Sequence, residues 1–286
     1  MQSGAIRPIP NMLPRKLFTS EHEAFRETVR KFYEKEVVPN IEKYEKQQHV
    51  DRDLWNKAGE LGLLCTTMPE QYGGSGVDRL YSMILIEEQA YAMDSSTGFS
   101  LHSDIVANYI NNFGNEEQKQ KWLPKMATGE TVTAIAMTEP GTGSDLQAVR
   151  TTAALDGDEY VINGSKIFIT NGYLCDMAIV VCKTGNNEKG SANLSLIIVE
   201  ADRAGFSKGK PLNKIGMKGQ DTCELFFDNV RVPKENLLGM EGMGFIMLMK
   251  ELAWERMLVA IICQAGAEAA FAHTVQYTKD RKAFGK

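Results

Sequence analysis

The stretch Ala136-Met137-Thr138-Glu139-Pro140-Gly141-Thr142-Gly143-Ser144-Asp145-Leu146-Gln147-Ala148 runs from the end of a β-prone segment into a polar loop. Its glycines let backbone N–H groups approach a ligand closely. Its hydroxyls and free amides suit a polar ring edge or a phosphate. Taken alone, the Gly-x-Gly pair indicates an ordinary turn more often than a binding site. What this loop does therefore has to be judged from the segments on either side of it.

The chain changes character on both sides of the loop. Helical patterns fill the region before Gly129, short β-prone runs extend from Thr131 to Pro233, and helical patterns return after Gly244. This order contains no β-α-β alternation, which disfavours a doubly wound nucleotide fold. We expect an α+β chain with a disordered lead-in at 1–18, an N-terminal helical domain at 19–129, a middle antiparallel β domain at 130–239 and the start of a C-terminal helical domain at 240–286.

Local signals place the individual elements. Ser20 and Glu23 suggest a capping box at the start of the first helix. Three Asx-Gly pairs predict tight hairpin turns, at Asp156-Gly157, Asn163-Gly164 and Asn171-Gly172. Apolar periodicity predicts helices at 54–63, 80–92, 98–113, 116–126 and 245–277, and β-prone runs at 131–137, 160–162, 166–169, 177–182, 194–199 and 225–227.

Composition excludes several classes of function. The 286 residues carry a formal net charge of -5 and no long basic run, which argues against nucleic acid as a partner. Five irregularly spaced cysteines without a C-x-x-C, and four scattered histidines, predict reduced thiols and no zinc site. No apolar run approaches membrane-spanning length, so an integral membrane protein is not expected. Three prolines among residues 1–18 oppose an amphipathic targeting helix there.

Two carboxylates, Glu251 and Glu255, lie four residues apart in the last helical segment and so share one helix face. Apolar residues nearly surround Glu255, which is compatible with a buried general base. Pattern alone favours the ordinary alternative, a surface glutamate paired with a local arginine or lysine. The residues themselves leave both readings open.

Six ordered motifs together resemble the acyl-CoA dehydrogenase family, and within it the chain is most similar to the long-chain members. The resemblance extends from about Lys16 to the end of the chain. The motifs are Tyr72-Gly73-Gly74, the opening stretch 136–148, Asn163-Gly164-Ser165-Lys166-Ile167-Phe168-Ile169-Thr170-Asn171-Gly172, residues 216–220, Phe227-Asp228-Asn229-Val230-Arg231-Val232-Pro233 and Asp280-Arg281-Lys282-Ala283-Phe284-Gly285.

The resemblance implies an FAD enzyme that removes hydrogens from the α and β carbons of a fatty acyl-CoA. Thr138 would hydrogen-bond the flavin ring, Phe168 would stand where many relatives carry tryptophan, and Arg281 would reach the FAD pyrophosphate of a neighbouring subunit. The full set of implied FAD contacts is Ile135, Ala136, Met137, Thr138, Glu139, Pro140, Gly141, Thr142, Gly143, Ser144, Phe168, Ile169, Thr170 and Arg281.

The resemblance also favours Glu255 as the catalytic base, because Glu255-Arg256 matches the glutamate-arginine pair in which the long-chain and isovaleryl enzymes place theirs. Glu251 is the weaker candidate. The implied substrate contacts are Ser144, Ala192, Asn193, Ile246, Ala253, Trp254, Glu255 and Arg256. Ala253-Trp254 and Ile246 depart from the expected pattern, which leaves a short branched acyl chain open as the substrate.

Further expectations concern partners and setting. The resemblance implies electron-transferring flavoprotein as the electron acceptor, a homotetramer when full length, and a C-terminal bundle that continues the family pattern beyond Lys286. The compartment would be the mitochondrial matrix for a eukaryotic source and the cytoplasm for a bacterial one. An inactive shortened form and an acyl-CoA oxidase are the competing readings.

Overall fold

A computed structural model describes residues 15–185 and 193–285. A helical region comes first, an eight-stranded sheet follows, and one long helix closes the described chain. The helices are α1 (Ser20–Phe32), α2 (Ile41–Gln47), α3 (Arg52–Glu60), α4 (Arg79–Tyr91), α5 (Ala107–Phe113), α6 (Glu116–Ala127) and α7 (Gly244–Asp280), with π-helical segments at Tyr33–Val37 and Leu101–Val106. The expected α+β class with its order of helices, sheet and helix is confirmed.

The start of α1 differs in detail from the sequence prediction. Thr19, not Ser20, is the N-cap, and its side chain accepts the backbone N–H of His22. His22 in turn reaches back to the Thr19 backbone, so a histidine occupies the place in the capping box that the sequence analysis gave to Glu23. A ring nitrogen can serve here because it can accept a hydrogen bond as a glutamate oxygen does.

A buried ion network joins α1 to α4. The Glu87 and Glu88 carboxylates, each 2% exposed, receive Arg26 Nη1 at 2.7 and 3.1 Å. Arg30 binds Glu88 through Nε at 2.9 Å, and Arg15 binds Glu87 at 2.5 Å. The contact of Arg15 corrects the expected disordered lead-in for residues 15–18, because it ties them to α4; residues 1–14 lie outside the described residues.

The sheet has the order β6-β7-β3-β2-β4-β5-β8, with β1 beside β4. Its strands are β1 (Thr133–Ala136), β2 (Thr152–Asp156), β3 (Glu159–Thr170), β4 (Met177–Lys183), β5 (Leu194–Glu200), β6 (Phe206–Lys208), β7 (Thr222–Pro233) and β8 (Leu237–Leu238). Most strand pairings are antiparallel, as expected, but β1 and β2 both run parallel to β4, which the sequence analysis did not predict. Sequence periodicity identifies strands but carries no information on their relative direction.

The three Asx-Gly pairs have three different outcomes. The expected hairpin joins β2 to β3, but its two loop residues are Gly157 and Asp158, because Asp156 still pairs with Glu159. Asn163-Gly164 instead lies inside β3 at a bulge, where Gly164 has a φ of +152° and an added Cβ would meet Thr151 Oγ1 at 2.5 Å. Asn171-Gly172 turns the chain after β3, but the next strand is not its neighbour in the sheet, so no hairpin forms.

Helix α7 packs on the N-terminal region through one face and leaves another uncovered. Ala265 and Ala269 lie against Ala90 and Tyr91 of α4. By length and composition α7 would be able to cross a membrane, which corrects the expectation that no apolar run approaches that length. The same test is passed by core helices of other proteins, so this property does not identify a span. Its exposed apolar residues are Ile246, Met249, Met257, Val259, Phe271 and Tyr277.

Replacing Arg26 by methionine should lower the free energy of unfolding by about 3 kcal/mol, because it removes a cation that two buried carboxylates share. Chemical denaturation measures the loss. Lys31→Met on the same helix is the control: its pair with Glu27 is exposed and 3.9 Å long, so its loss should stay below about 0.5 kcal/mol. Equal losses in the two variants would contradict a stabilising role for the buried network.

Candidate active site

The loop from Met137 to Thr151 leaves the sheet and returns to the edge of the same strand. Strand β1 ends where Ala136 pairs with Val180, and β2 begins where Thr152 pairs with Lys183 of the same β4. Only two residues of β4 lie between the two pairings, so the intervening chain cannot lie in the sheet and must project from it. This topology brings the glycines and hydroxyls of the opening stretch to the surface.

A buried ion pair holds the base of this loop. Lys166 of β3 is 0% exposed, and its Nζ donates to a Glu139 carboxylate oxygen at 2.9 Å and to the Met137 carbonyl at 3.0 Å. Glu139 also accepts the Arg150 N–H at 2.7 Å, and the Thr151 N–H and hydroxyl at 2.9 and 2.6 Å. Burial opposes ionisation, but the Thr151 hydrogen bonds and the Lys166 charge hold the pKa of Glu139 below its ordinary value.

These contacts change the role expected for Glu139. Its carboxylate is 6% exposed and faces protein donors on every side. A carboxylate so placed positions the loop and does not offer its oxygens to a ligand. The sequence analysis did not identify Lys166 as a site residue, although it lies inside one of the family motifs. The signal that could have identified it is a lysine within a β-prone run.

Phe168 is held in an unusual conformation next to the loop. Its φ is +60° and its side chain is 63% exposed, within a bulge between Lys166 and Ile169. A bulky residue in the left-handed region is strained, and such strain clusters at functional sites. The Ile167 N–H donates to the Thr138 carbonyl at 2.9 Å, which fixes the loop beside the bulge. The exposed ring and the exposed loop thus form one surface.

The remaining residues expected to bind the cofactor fall into two groups. Ile135, Ala136 and Ile169 are buried in the core, so only their backbones can meet a ligand. Thr142 is also buried, at 4% exposure. The partly or fully exposed members are Met137, Thr138, Pro140, Gly141, Gly143, Ser144 and Thr170.

Each of the two α7 carboxylates meets a different donor on α5. The Tyr109 hydroxyl donates to Glu255 Oε1 at 2.8 Å, and Asn112 Nδ2 donates to Glu251 Oε1 at 2.9 Å. Glu251 is 7% exposed and Glu255 is half-buried. Burial raises the pKa of Glu255; the Tyr109 hydrogen bond opposes that shift and the charge of Glu251 adds to it. A carboxylate with a raised pKa is suited to proton abstraction.

The core connects this carboxylate to the loop. Tyr109 and Ile135 belong to one hydrophobic cluster, against which Met137 and Phe245 pack. Residues at the end of β1, on α5 and at the start of α7 are therefore held in one rigid unit. Tyr109 was missed in the sequence analysis, because an aromatic residue in a helical pattern is usually core and nothing in the spacing marks its hydroxyl.

The other residues expected to bind substrate are dispersed. Trp254 lies under the Arg79 guanidinium, 4.4 Å from its ring centroid. Ile246, Ala253 and Arg256 are exposed on α7. Asn193 is buried and its carbonyl accepts the Thr184 N–H at 2.8 Å. Ala192 lies outside the described residues, and Arg281 is exposed just beyond the end of α7.

Profiles of known families match nearly the whole chain. "Acyl-CoA dehydrogenase, N-terminal domain" matches residues 19–130, "Acyl-CoA dehydrogenase, middle domain" matches 134–230 and "Acyl-CoA dehydrogenase, C-terminal domain" matches 242–286. The chain belongs to the acyl-CoA dehydrogenase family. The resemblance inferred from six motifs is thereby confirmed.

Individual acyl-CoA dehydrogenases are similar along the whole chain. The mitochondrial long-chain specific enzyme of Sus scrofa is 49% identical over 100% of this chain and 67% of its own length. The isovaleryl-CoA dehydrogenase of Pongo abelii is 37% identical over 94% of this chain and 64% of its own length. A crystal structure from Geobacillus kaustophilus is 49% identical with a TM-score of 0.93, covering 96% of this chain and 72% of its own. An FAD complex from Bacillus anthracis is 37% identical with a TM-score of 0.88, covering 96% and 48%.

Members of this family use FAD, and the residues present fit that group. An isoalloxazine ring needs an apolar partner for its face and hydrogen-bonding groups along its edge. The exposed Phe168 ring supplies the first, and Thr138, Ser144 and Thr170 supply the second. An added Cβ at Gly141 or Gly143 would meet nothing within 4 Å, so the loop presents bare backbone to a ligand.

Lys166→Met should lower the free energy of unfolding by about 3 kcal/mol, because Glu139 would remain buried without its cation. Hydrogen exchange of residues 137–151 should rise at the same time. The double variant Lys166→Met/Glu139→Gln removes both charges and should recover part of the loss. Lys183→Met, at the half-exposed end of β4, is the control. Unchanged hydrogen exchange in the loop would contradict a role of the Glu139–Lys166 pair in holding it.

Proposed function

We propose that this chain binds FAD between the 137–151 loop and Phe168 and dehydrogenates the Cα–Cβ bond of long-chain acyl-CoA, with Glu255 as base. One observation carries the proposal: a half-buried carboxylate with a raised pKa accepts a hydrogen bond from Tyr109, which belongs to the same core cluster as Ile135 at the end of β1, with Met137 of the loop packed against it. A proton acceptor and a flavin surface are thus held by one rigid unit. The product would be the trans-2-enoyl-CoA.

Glu255 works in its ionised form. An α-proton of a thioester is a weak acid, so a carboxylate of ordinary pKa is too weak a base for it, and burial corrects this by destabilising the charge. The Tyr109 hydroxyl donates a hydrogen bond to Glu255 Oε1, which leaves Glu255 Oε2 to receive the proton. The α C–H electron pair becomes the new C=C bond as hydride leaves the β carbon. Bound FAD supplies the acceptor for that hydride.

The loop and the bulge perform the binding. Thr138 and Ser144 would bond the polar flavin edge and the adjoining pantetheine, while Phe168 covers one face of the ring. The Glu139–Lys166 pair keeps these groups in place without touching the ligand. Ordering the loop before binding reduces the entropy that binding must overcome. Arg281 is exposed just beyond the end of α7. We assign it to binding the pyrophosphate of a neighbouring subunit's FAD.

Long-chain substrates are favoured over branched short ones by similarity. Identity to the long-chain enzyme of Sus scrofa is 49%, against 37% to the isovaleryl enzyme. Relative kcat/KM for palmitoyl-CoA and isovaleryl-CoA tests this preference, and a higher value for isovaleryl-CoA would reverse it. We also propose electron-transferring flavoprotein as the acceptor, a tetrameric assembly for the full-length protein, and a compartment that follows the source: matrix in a eukaryote and cytoplasm in a bacterium.

An inactive form that only binds acyl-CoA is the second candidate. Anaerobic addition of palmitoyl-CoA to the purified protein distinguishes the two candidates. Bleaching of the flavin absorbance supports the dehydrogenase, and a colourless protein supports the inactive form. Oxygen consumption during turnover would instead indicate an oxidase.

Phe168→Gly should weaken FAD binding about ten-fold, because the aromatic cover is lost. The FAD-free variant should be as stable as the parent or more stable, because glycine adopts a φ of +60° without the strain of about 1–3 kcal/mol that a bulky residue suffers. Phe168→Trp, which keeps an aromatic ring, should bind FAD as tightly as the parent. Fluorescence titration and denaturation measure the two effects. Loss of stability with unchanged FAD affinity would contradict the assignment.

Glu255→Gln should keep bound flavin and its spectrum but slow flavin reduction by palmitoyl-CoA at least 1,000-fold, on the order of what removal of a general base causes. Stopped-flow absorbance measures the rate. Glu268→Gln is a matched control: it lies on the same helix and likewise accepts a tyrosine hydroxyl, from Tyr91 at 2.8 Å. Its reduction rate should equal that of the parent. Unchanged reduction in Glu255→Gln would remove Glu255 from the mechanism.

A further inference from the structure

Helices α5 and α7 meet through two parallel hydrogen-bonded rungs. Tyr109 and Asn112 are three residues apart on α5, and Glu255 and Glu251 are four apart on α7, so each pair lies on one face of its helix. The rungs are Tyr109 Oη to Glu255 Oε1 at 2.8 Å and Asn112 Nδ2 to Glu251 Oε1 at 2.9 Å. Within the described residues these are the hydrogen bonds that the side chains of the two glutamates make.

This arrangement contrasts with the ion-paired buried glutamates of the described residues. Glu87 and Glu88 face arginines, and Glu139 faces Lys166. Neither Glu251 nor Glu255 has a cation within 4.0 Å among the described residues, and Arg256 beside them is exposed. The charge of Glu251, one turn away, opposes ionisation of the half-buried Glu255.

Tyr109 and Glu251 have opposite effects on the ionisation of Glu255. Tyr109 is 0% exposed, and burial together with both carboxylates raises its pKa, so its phenol remains a proton donor across the neutral range. A hydrogen bond to the ionised form of Glu255 favours that form, whereas a second negative charge disfavours it. Tyr109 from α5 and Glu251 from α7 are the titratable groups that face Glu255.

We propose that Tyr109 and Glu251 are paired positioning residues of the base: Tyr109 orients one oxygen of Glu255 and favours its ionisation, and Glu251, held by Asn112, supplies the charge that makes it basic. The inference deepens the proposed function and rests on Glu255 being the proton acceptor. Neither residue contacts the reacting atoms. Both act through Glu255, and their effects on it have opposite sign.

The sign of each effect follows from which form of Glu255 it favours. Tyr109→Phe keeps the ring and removes only the donor, so the pKa of Glu255 should rise and more of the carboxyl should be protonated at a given pH. Glu251→Gln keeps the shape and removes the charge, so the pKa should fall. The acid limb of the pH profile for flavin reduction should therefore move to higher pH in the first variant and to lower pH in the second. At a pH below the midpoint, the rate should fall about ten-fold for Tyr109→Phe.

Titration of the Glu255 carboxyl by infrared difference spectroscopy tests the inference without turnover. The band is assigned by its loss in Glu255→Gln, and its midpoint is followed in the parent, Tyr109→Phe and Glu251→Gln proteins, with and without FAD. Tyr91→Phe, which removes the equivalent phenol from Glu268, is the control and should leave the Glu255 midpoint unchanged. Displacements of opposite sign support the inference.

If the Glu255 midpoint moves in the same direction in both variants, or does not move, the inference is overturned. A general loss of packing would move the midpoint alike in both variants. The same titration separates this failure from failure of the proposed function. If the midpoints move as expected but Glu255→Gln still allows flavin reduction, Tyr109 and Glu251 do tune Glu255, but the base is elsewhere and the proposed function fails. If Glu255→Gln abolishes reduction but the midpoints do not move, the base stands and the positioning pair fails.

Discussion

The ion pair between Glu139 and Lys166 lies where β1 leaves the sheet, and the geometry of the site depends on it. A lysine that is 0% exposed tolerates its charge only beside a carboxylate and a carbonyl, and it finds both at the base of the 137–151 loop. Because β1 and β2 share one edge of β4, the loop between them has no strand to pair with. The buried pair replaces the missing sheet contacts, and the loop can present backbone and hydroxyls outward without collapsing.

Glutamates between helices have two kinds of partner in the described chain. Between α1 and α4, arginines neutralise Glu87 and Glu88 and convert them into a tie between helices. Between α5 and α7, Glu251 and Glu255 have neutral donors only, from Asn112 and Tyr109. The first arrangement stabilises the fold, while the second holds charge in a costly state. That cost is the physical basis for a carboxylate basic enough to remove a proton from carbon.

A strained aromatic residue lies beside the 137–151 loop. Phe168 occupies the left-handed region with most of its ring exposed, at a bulge that the buried Lys166 anchors from one side and the buried Ile169 from the other. An exposed aromatic ring in a strained conformation has no folding advantage. The exposed ring is useful if a flat ligand covers it. The open space around Gly141 and Gly143 is compatible with such a ligand. The apolar outer side of α7, with Met257, Val259 and Phe271, is likewise left without cover in the described chain.

The sequence by itself determined the helix–sheet–helix order, most of the strands and helices, the family, and the two carboxylates on α7. These properties follow from local periodicity and from ordered motifs, which are carried by neighbouring residues. Only the tertiary structure decided that β1 and β2 run parallel to β4, that Asn163-Gly164 is a bulge and not a hairpin, and that the Glu139 carboxylate pairs with Lys166. It also decided that Tyr109 reaches Glu255. Each of these depends on residues that are distant in the chain, up to 146 positions in the last case, and the pairing of such residues is set by packing and not by local pattern.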